Sequence, residues 1–252
     1  MAPVSAALTA GVIAAAPDLP IGFAHRGGAE HRRLQNTLAA FRQSCRLGAT
    51  GIESDVALTA DGVVVLIHPG VMARLRRPVS SLRRDQLPSH VPTLEDVYRA
   101  CGPDLDVALD MAIPQAVARV VAIARAHGDP SRLWLTYWRV ATLADWHRTY
   151  PDVRLVFPTL LLRSSSAAAR RCASLRAAGV DAINLYHRGC TPARVATAHE
   201  AGLLVFGWGA RSGAAARRTL RRGADGVFCD DAAGMGAAVN AERGRRALSA
   251  GG

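Results

Sequence analysis

Three short segments of this chain carry residues whose types and spacing could act on one substrate together. His25-Arg26-Gly27-Gly28 sets an imidazole and a guanidinium side by side ahead of two glycines. Glu53 and Asp55 lie two residues apart, and on an extended chain that spacing sends both side chains to the same face. Asp110 closes a third run, Val107-Ala108-Leu109. Carried on adjacent parallel strands, the three carboxylates would meet at one level, where like charges repel strongly unless a cation neutralises them. Ligation by oxygen alone suits Mg²⁺ or Ca²⁺ better than zinc. Each residue also has a plainer reading. A lone acid near a strand end commonly caps a helix or pairs with Arg, and a lone histidine commonly fills a structural place. It is the coincidence at the ends of successive elements that favours a site. The histidines at His31, His90, His127, His147, His187 and His199 fall mostly on loops or helices and receive no role.

The elements that must position these groups follow a simple rhythm. Apolar segments rich in β-branched residues occur at Ile21–Ala24, Gly51–Val56, Leu105–Met111, Leu133–Tyr137, Arg154–Thr159, Ala182–Tyr186, Leu204–Trp208 and Gly226–Cys229. Ala- and Arg-rich stretches long enough for helices separate them. Strand–helix alternation predicts a parallel sheet, and eight units predict closure into a single (β/α)₈ barrel, for which 252 residues is an ordinary length. A doubly wound open sheet is the structural alternative. Barrel enzymes carry their chemistry at the C-terminal ends of strands, where His25, Glu53, Asp55 and Asp110 fall. One segment breaks the rhythm: Asp61-Gly62 is a turn signal followed at once by Val63–Ile67, so a hairpin is predicted after the second strand, its second arm delivering His68. The stretch from there to Pro92 reads as an irregular loop. Residues 1–20 read as a lead-in segment with a helix over the apolar run Val4–Ala16, residues 21–238 as the barrel, and residues 239–252 as a tail expected to fray.

Composition excludes more than it assigns. The formal charge of +11 would suit a nucleic-acid binder, but all 31 basic residues are Arg and none is Lys, which points to a compositional bias. The basic clusters (Arg74 to Arg77, Arg83-Arg84, Arg217 to Arg222, Arg243 to Arg246) lack interleaved aromatics and read as solvated faces, so no nucleic-acid partner is expected. Weak contact with an anionic lipid surface stays open. The Val4–Ala16 run is too short to span a bilayer and no basic residue precedes it, so neither a transmembrane segment nor a signal peptide is expected. Cys45, Cys101, Cys172, Cys190 and Cys229 form no paired motif, which fits a reducing, cytoplasmic setting.

Together the segments resemble the glycerophosphodiester phosphodiesterase family. The resemblance rests on Ala24-His25-Arg26-Gly27-Gly28, Asn36-Thr37-Leu38-Ala39-Ala40-Phe41, the run Gly48 to Val56 holding Glu53 and Asp55, Leu58-Thr59 with Asp61-Gly62, and His68. Pro92-Thr93-Leu94-Glu95, Gly202-Leu203 leading to Trp208, and Gly223 to Val227 agree with it. It implies a barrel that hydrolyses small glycerophosphodiesters to glycerol 3-phosphate and an alcohol. In that family the residues matching His25 and His68 act as general acid and base, those matching Glu53, Asp55 and Asp110 bind a divalent metal, and the one matching Arg26 contacts the phosphate. Trp208 joins Arg26 as a substrate-binding candidate.

This sequence departs from the family pattern in four places. Gln35 stands for a Glu, Pro69 for an Asp, Asp110 for the more usual Glu, and Ala112 for a Lys. Near Asp110 a slip of two residues would put Ala108 at the acid position; the alternation of Val107, Leu109 and Met111 favours Asp110. Two other readings remain beside the diesterase: a related hydrolase of lysophospholipids or other phosphodiesters, and a weakened barrel that binds a phosphodiester or lipid without turning it over. Direct attack by water and attack by a neighbouring substrate hydroxyl are both open.

Overall fold

The computed structural model describes residues 19–28, 35–68, 77–159 and 166–250. The lead-in run Val4–Ala16, His31, Pro69 and the loop residues Arg74 and Arg76 lie outside them. In chain order the strands are β1 (Ile21–His25), β2 (Gly51–Leu58), β3 (Val64–Leu66), β4 (Asp106–Asp110), β5 (Leu133–Thr136), β6 (Arg154–Thr159), β7 (Ala182–Tyr186), β8 (Leu204–Ala210) and β9 (Gly226–Cys229). The helices are α1 (Leu38–Arg46), α2 (Leu94–Cys101), α3 (Val117–His127), α4 (Val140–Thr149), α5 (Ser166–Ala177), α6 (Pro192–Glu200), α7 (Gly213–Arg221) and α8 (Ala232–Ala250). All strands but β3 run parallel, in the order β1-β9-β8-β7-β6-β5-β4-β2, and pairing of β1 with β2 closes the ring. The eight-stranded parallel barrel replaces the open-sheet alternative, because closure leaves neither β1 nor β2 with an unpaired edge. β3 lies antiparallel on the outer end of β2, Val56 opposite Leu66.

Alternation along each strand decides which side chains enter the barrel. Ile21, Phe23, Ala108, Trp134, Val156, Ala182, Phe206 and Phe228 point inward and pack as one cluster. Four of them form an aromatic plug, with Phe23 stacked on Phe228 at 4.6 Å and Trp134 edge-on to Phe206 at 5.0 Å between ring centres. Burying Phe23 and Phe206 completely removes apolar surface from water at a gain of roughly 1.5–3 kcal/mol each. At the base, Trp134 Nε1 donates to Asp106 (2.9 Å) and Arg132 holds the same carboxylate (3.0 Å). The intervening residues, among them Ile52, Val56, Val107 and Leu109, point outward against the helices. All five cysteines are free thiols, and those of Cys45 on α1 and Cys101 on α2 share a hydrogen bond.

The C-terminal segment corrects an expectation. Instead of fraying beyond Asn240, the chain stays helical to Ala250, with Val239 and Glu242 buried. Glu242 pairs with Arg245 and Arg246, Arg246 also donates to the Ala224 carbonyl (2.8 Å), and Arg243 donates to that of Pro20 (3.2 Å). The basic run expected to be solvated thus staples α8 across the barrel's lower end. Among the described residues no helix is long and apolar enough to cross a membrane.

Candidate active site

The site begins with the turn after β1. Arg26, Gly27 and Gly28 all take positive φ (52°, 84° and 57°), closed by Gly27 N to Ala24 O and Gly28 N to His25 O. A Cβ at Gly27 would stand 2.8 Å from that of Ala40, so glycine satisfies both the backbone conformation and the close approach of α1. Arg26 lacks that freedom, and its backbone is held by contacts: its N–H meets the Glu53 carboxylate at 3.1 Å, and its carbonyl accepts from Asn36 N at 2.9 Å. Asn36 accepts from Ser54 (2.8 Å), and Thr37 caps α1 by accepting from Ala40 N (3.2 Å). The Asn-Thr pair therefore braces the histidine–arginine turn from behind.

Glu53 and Asp55 reach the cavity because β2 alternates, Ser54 turning outward. Parallel pairing sets Asp55 opposite Asp110 and Glu53 opposite Ala108, whose side chain packs in the apolar cluster inside the barrel. Oxygens of Glu53, Asp55 and Asp110 all lie within 4.8 Å of one another. Withdrawal from water, then the neighbouring carboxylates, pushes the Glu53 pKa up to about 8, against the pull of His25; Asp55 rises to about 6 for the same reasons. Asp110 is also raised, withdrawal of its carboxyl from bulk water outweighing a hydrogen bond with Thr136. Asp55 Oδ2 is buried without a hydrogen-bond partner, although Arg26 Nε stands 3.8 Å away. An all-oxygen triad with a raised affinity for protons and an unsatisfied oxygen suits a hard divalent cation.

These acids line a cavity of about 570 Å³ together with His25, Arg26, Ala112 and Trp208. Its floor includes Phe228 of the aromatic plug, and its walls add Trp138, Asn184, Arg211 and Asp230. His68 is not among the lining residues. It is half-buried at the end of the β3 arm, where Ile67 N donates to the Asp55 carbonyl at 3.0 Å, so its backbone lies level with the acids.

Sequence reasoning missed Asp230 and Arg211, though one signal could have found both: they directly follow β9 and β8, at the barrel end where chemistry collects. Asp230 Oδ1 meets His25 Nδ1 at 2.6 Å, and His25 Nε2 faces Glu53 at 3.8 Å. With Nδ1–H given to Asp230, the neutral ring keeps its lone pair on Nε2, facing the cavity. Burial disfavours the imidazolium, but the Asp230 hydrogen bond and the Glu53 charge outweigh it, so the His25 pKa is raised. Asp230→Asn is expected to move the His25 titration to lower pH, read by NMR of the ring protons. An unmoved titration would remove Asp230 from any role in holding that charge.

With this geometry in view, known proteins give a consistent picture. A model of the "Glycerophosphoryl diester phosphodiesterase family" matches residues 25–233. The chain is similar to "Probable glycerophosphodiester phosphodiesterase 2" of Mycobacterium tuberculosis, at 28% identity over 84% of this chain and 88% of that protein. It is also similar to "Glycerophosphodiester phosphodiesterase" of Caldanaerobacter subterraneus, at 25% identity over 82% and 93%. Among solved structures, an Oleispira antarctica phosphodiesterase in complex with the product sn-glycerol-3-phosphate superposes with a TM-score of 0.73, at 18% identity, over 88% of this chain and 97% of that one.

Proposed function

This chain belongs to the glycerophosphoryl diester phosphodiesterase family, and we propose that it hydrolyses glycerophosphodiesters to glycerol 3-phosphate and an alcohol with a divalent cation bound. The observation that carries the reading is the meeting of Glu53, Asp55 and Asp110 in one cavity with His25 and Arg26. Those three acids would hold the cation, Mg²⁺ or Ca²⁺ by its ligand set. When bound, it supplies charge neutralisation at the phosphoryl oxygens.

The chain's own residues do the rest. Arg26 orients the phosphoryl group, and its planar fork suits two oxygens at once. Where the family has a lysine, Ala112 lines the cavity, and we assign the missing positive charge to Arg26 with Arg211. Trp208 offers an apolar wall to the alcohol or glycerol carbons. His25 is the general acid: the Asp230 hydrogen bond and the Glu53 charge raise its pKa and so favour the protonated ring, with Asp230 holding it in place. His68 is the general base, taking a proton from the attacking oxygen. The new P–O bond forms as the bond to the alcohol breaks, and the alkoxide leaves with the proton from His25 Nε2.

The reading is tested by incubating purified protein with glycerophosphocholine and glycerophosphoethanolamine, with Mg²⁺ or Ca²⁺, and measuring glycerol 3-phosphate. Release of that product, absent from a Glu53→Gln preparation, is the expected result. Binding of either diester without product, under every metal tried, would replace the hydrolase with a binding barrel.

A further inference from the structure

Beside the first cavity lies a second, of about 730 Å³, in which Arg188, Arg211, Arg218, Arg222 and His187 gather and no acidic side chain takes part. The two share a ridge, since Trp208, Gly209 and Arg211 line both. Gly209, at φ 79°, lies against the Tyr186 ring, which is 5.1 Å from that of Trp208. Elsewhere on this surface arginines find acids: Arg125 holds Asp152, and Arg245 and Arg246 hold Glu242. Among the described residues, none of the four arginines in this pocket has a carboxylate within 4.0 Å. Burial, then the charges of Arg188, Arg218 and Arg222, hold the His187 pKa below its ordinary value. Like charges converging on a concave, shared space make a site whose repulsion an anion relieves. Half of the run Arg217 to Arg222 is therefore more than a solvated helix face: Arg218 and Arg222 line this pocket, while Arg217 and Arg221 do not.

We propose that this arginine pocket receives a second anionic group, phosphate or carboxylate, carried by the alcohol half of the diester while the scissile phosphate sits over the carboxylates next door. The proposal rests on the diesterase reading and adds the substrate class to it. Glycerol is neutral and cannot use four cations, so the anion belongs to the alcohol. Arg211, on the shared ridge, is placed between the two anions.

The test compares glycerophosphoglycerol with the same diester phosphorylated on its terminal alcohol. The phosphorylated substrate is expected to have a kcat/KM at least about ten-fold higher, mostly through KM, as charge-assisted hydrogen bonds of ordinary strength would give. Arg218→Ala with Arg222→Ala should erase that preference and leave the neutral substrate unchanged. Arg217→Ala with Arg221→Ala, the same charge loss outside the pocket, should keep it. Equal rates for the two substrates, or an equal loss in the control variant, would overturn the pocket. A second readout needs no turnover. In EDTA the first cavity lacks its cation, and the part of inorganic phosphate binding that depends on Arg218 and Arg222, read by calorimetric titration, reports the arginine pocket. Binding should be present in the parent and weakened in the Arg218/Arg222 variant. Equal binding in both overturns the proposal. Binding lost in the variant but no diester hydrolysed by the parent overturns the diesterase reading instead. Phosphate binding with no preference for the phosphorylated diester makes the pocket a site for free anions, and the proposal fails.

Discussion

Excess EDTA is expected to abolish diester hydrolysis, and Mg²⁺ or Ca²⁺ to restore it. The reason is electrostatic. At separations within 4.8 Å, each carboxylate pair repels by roughly 3–4 kcal/mol at an effective dielectric near 20. Without a cation, burial first and then this repulsion keep protons on the cluster, raising Glu53 to about 8 and Asp55 to about 6. A protonated triad cannot bind the cation that would neutralise the phosphodiester, and an ionised triad without the cation repels the diester's own charge. The sign of the pH dependence follows. Both acids keep protons more tightly in the folded chain than at their ordinary values of 4.5 and 3.8, so the metal-free protein is favoured below about pH 4 by this pair and loses that contribution as pH rises to about 8. In EDTA the Tm should therefore fall between pH 5 and pH 8, and less in Glu53→Gln, which carries no acid there. Saturating cation should raise the Tm most at pH 8, since binding displaces protons. Full turnover in EDTA would end the metal-dependent mechanism. An Asp110→Ala chain with undiminished metal affinity would take Asp110 out of the ligand set.

Truncating either histidine should cost nearly as much. A positioned proton-transfer group contributes a factor of about 10² to 10⁴, so His25→Ala and His68→Ala are each expected to lower kcat by that amount with folding intact. The double variant should lose far less than the product of the two, because groups that act on one proton inventory act as a unit. His25 already stands in the cavity, between Asp230 and Glu53. His68 is the sharper test, because it is not among the cavity's lining residues and would have to reach a substrate from the β3 arm. A His68→Ala enzyme with unchanged kcat would leave the general base to be found among other residues.

Much of this was legible before any coordinate. The strand pattern of eight apolar segments, each followed by room for a helix, is enough for a parallel sheet, because alternation and length are local properties, while closure rests on the pairing of β1 with β2. The same locality made Glu53 and Asp55 a pair, and the turn after His25 a glycine requirement. Motif spacing carried the family. The tail was misjudged because Glu242 is stabilised by Arg245 and Arg246, and α8 by carbonyls of Pro20 and Ala224, which no local composition reveals.

What the sequence determined by itself is the set of groups that chain-local rules bring to the top of the barrel: His25, Arg26, Glu53, Asp55 and Asp110. What only the tertiary structure decided is which groups from distant strands complete it. Closure of β9 against β1 sets Asp230 on His25, a contact across 205 residues. The register of β2 on β4 sets Asp55 beside Asp110 and Glu53 beside Ala108. The packing of α7 beside the loop after β7 gathers Arg188, Arg218 and Arg222 into one pocket. Side-chain direction follows from neighbours along the chain, but distance between elements follows from how the ring closes, and the charges that tune this site are set by distance.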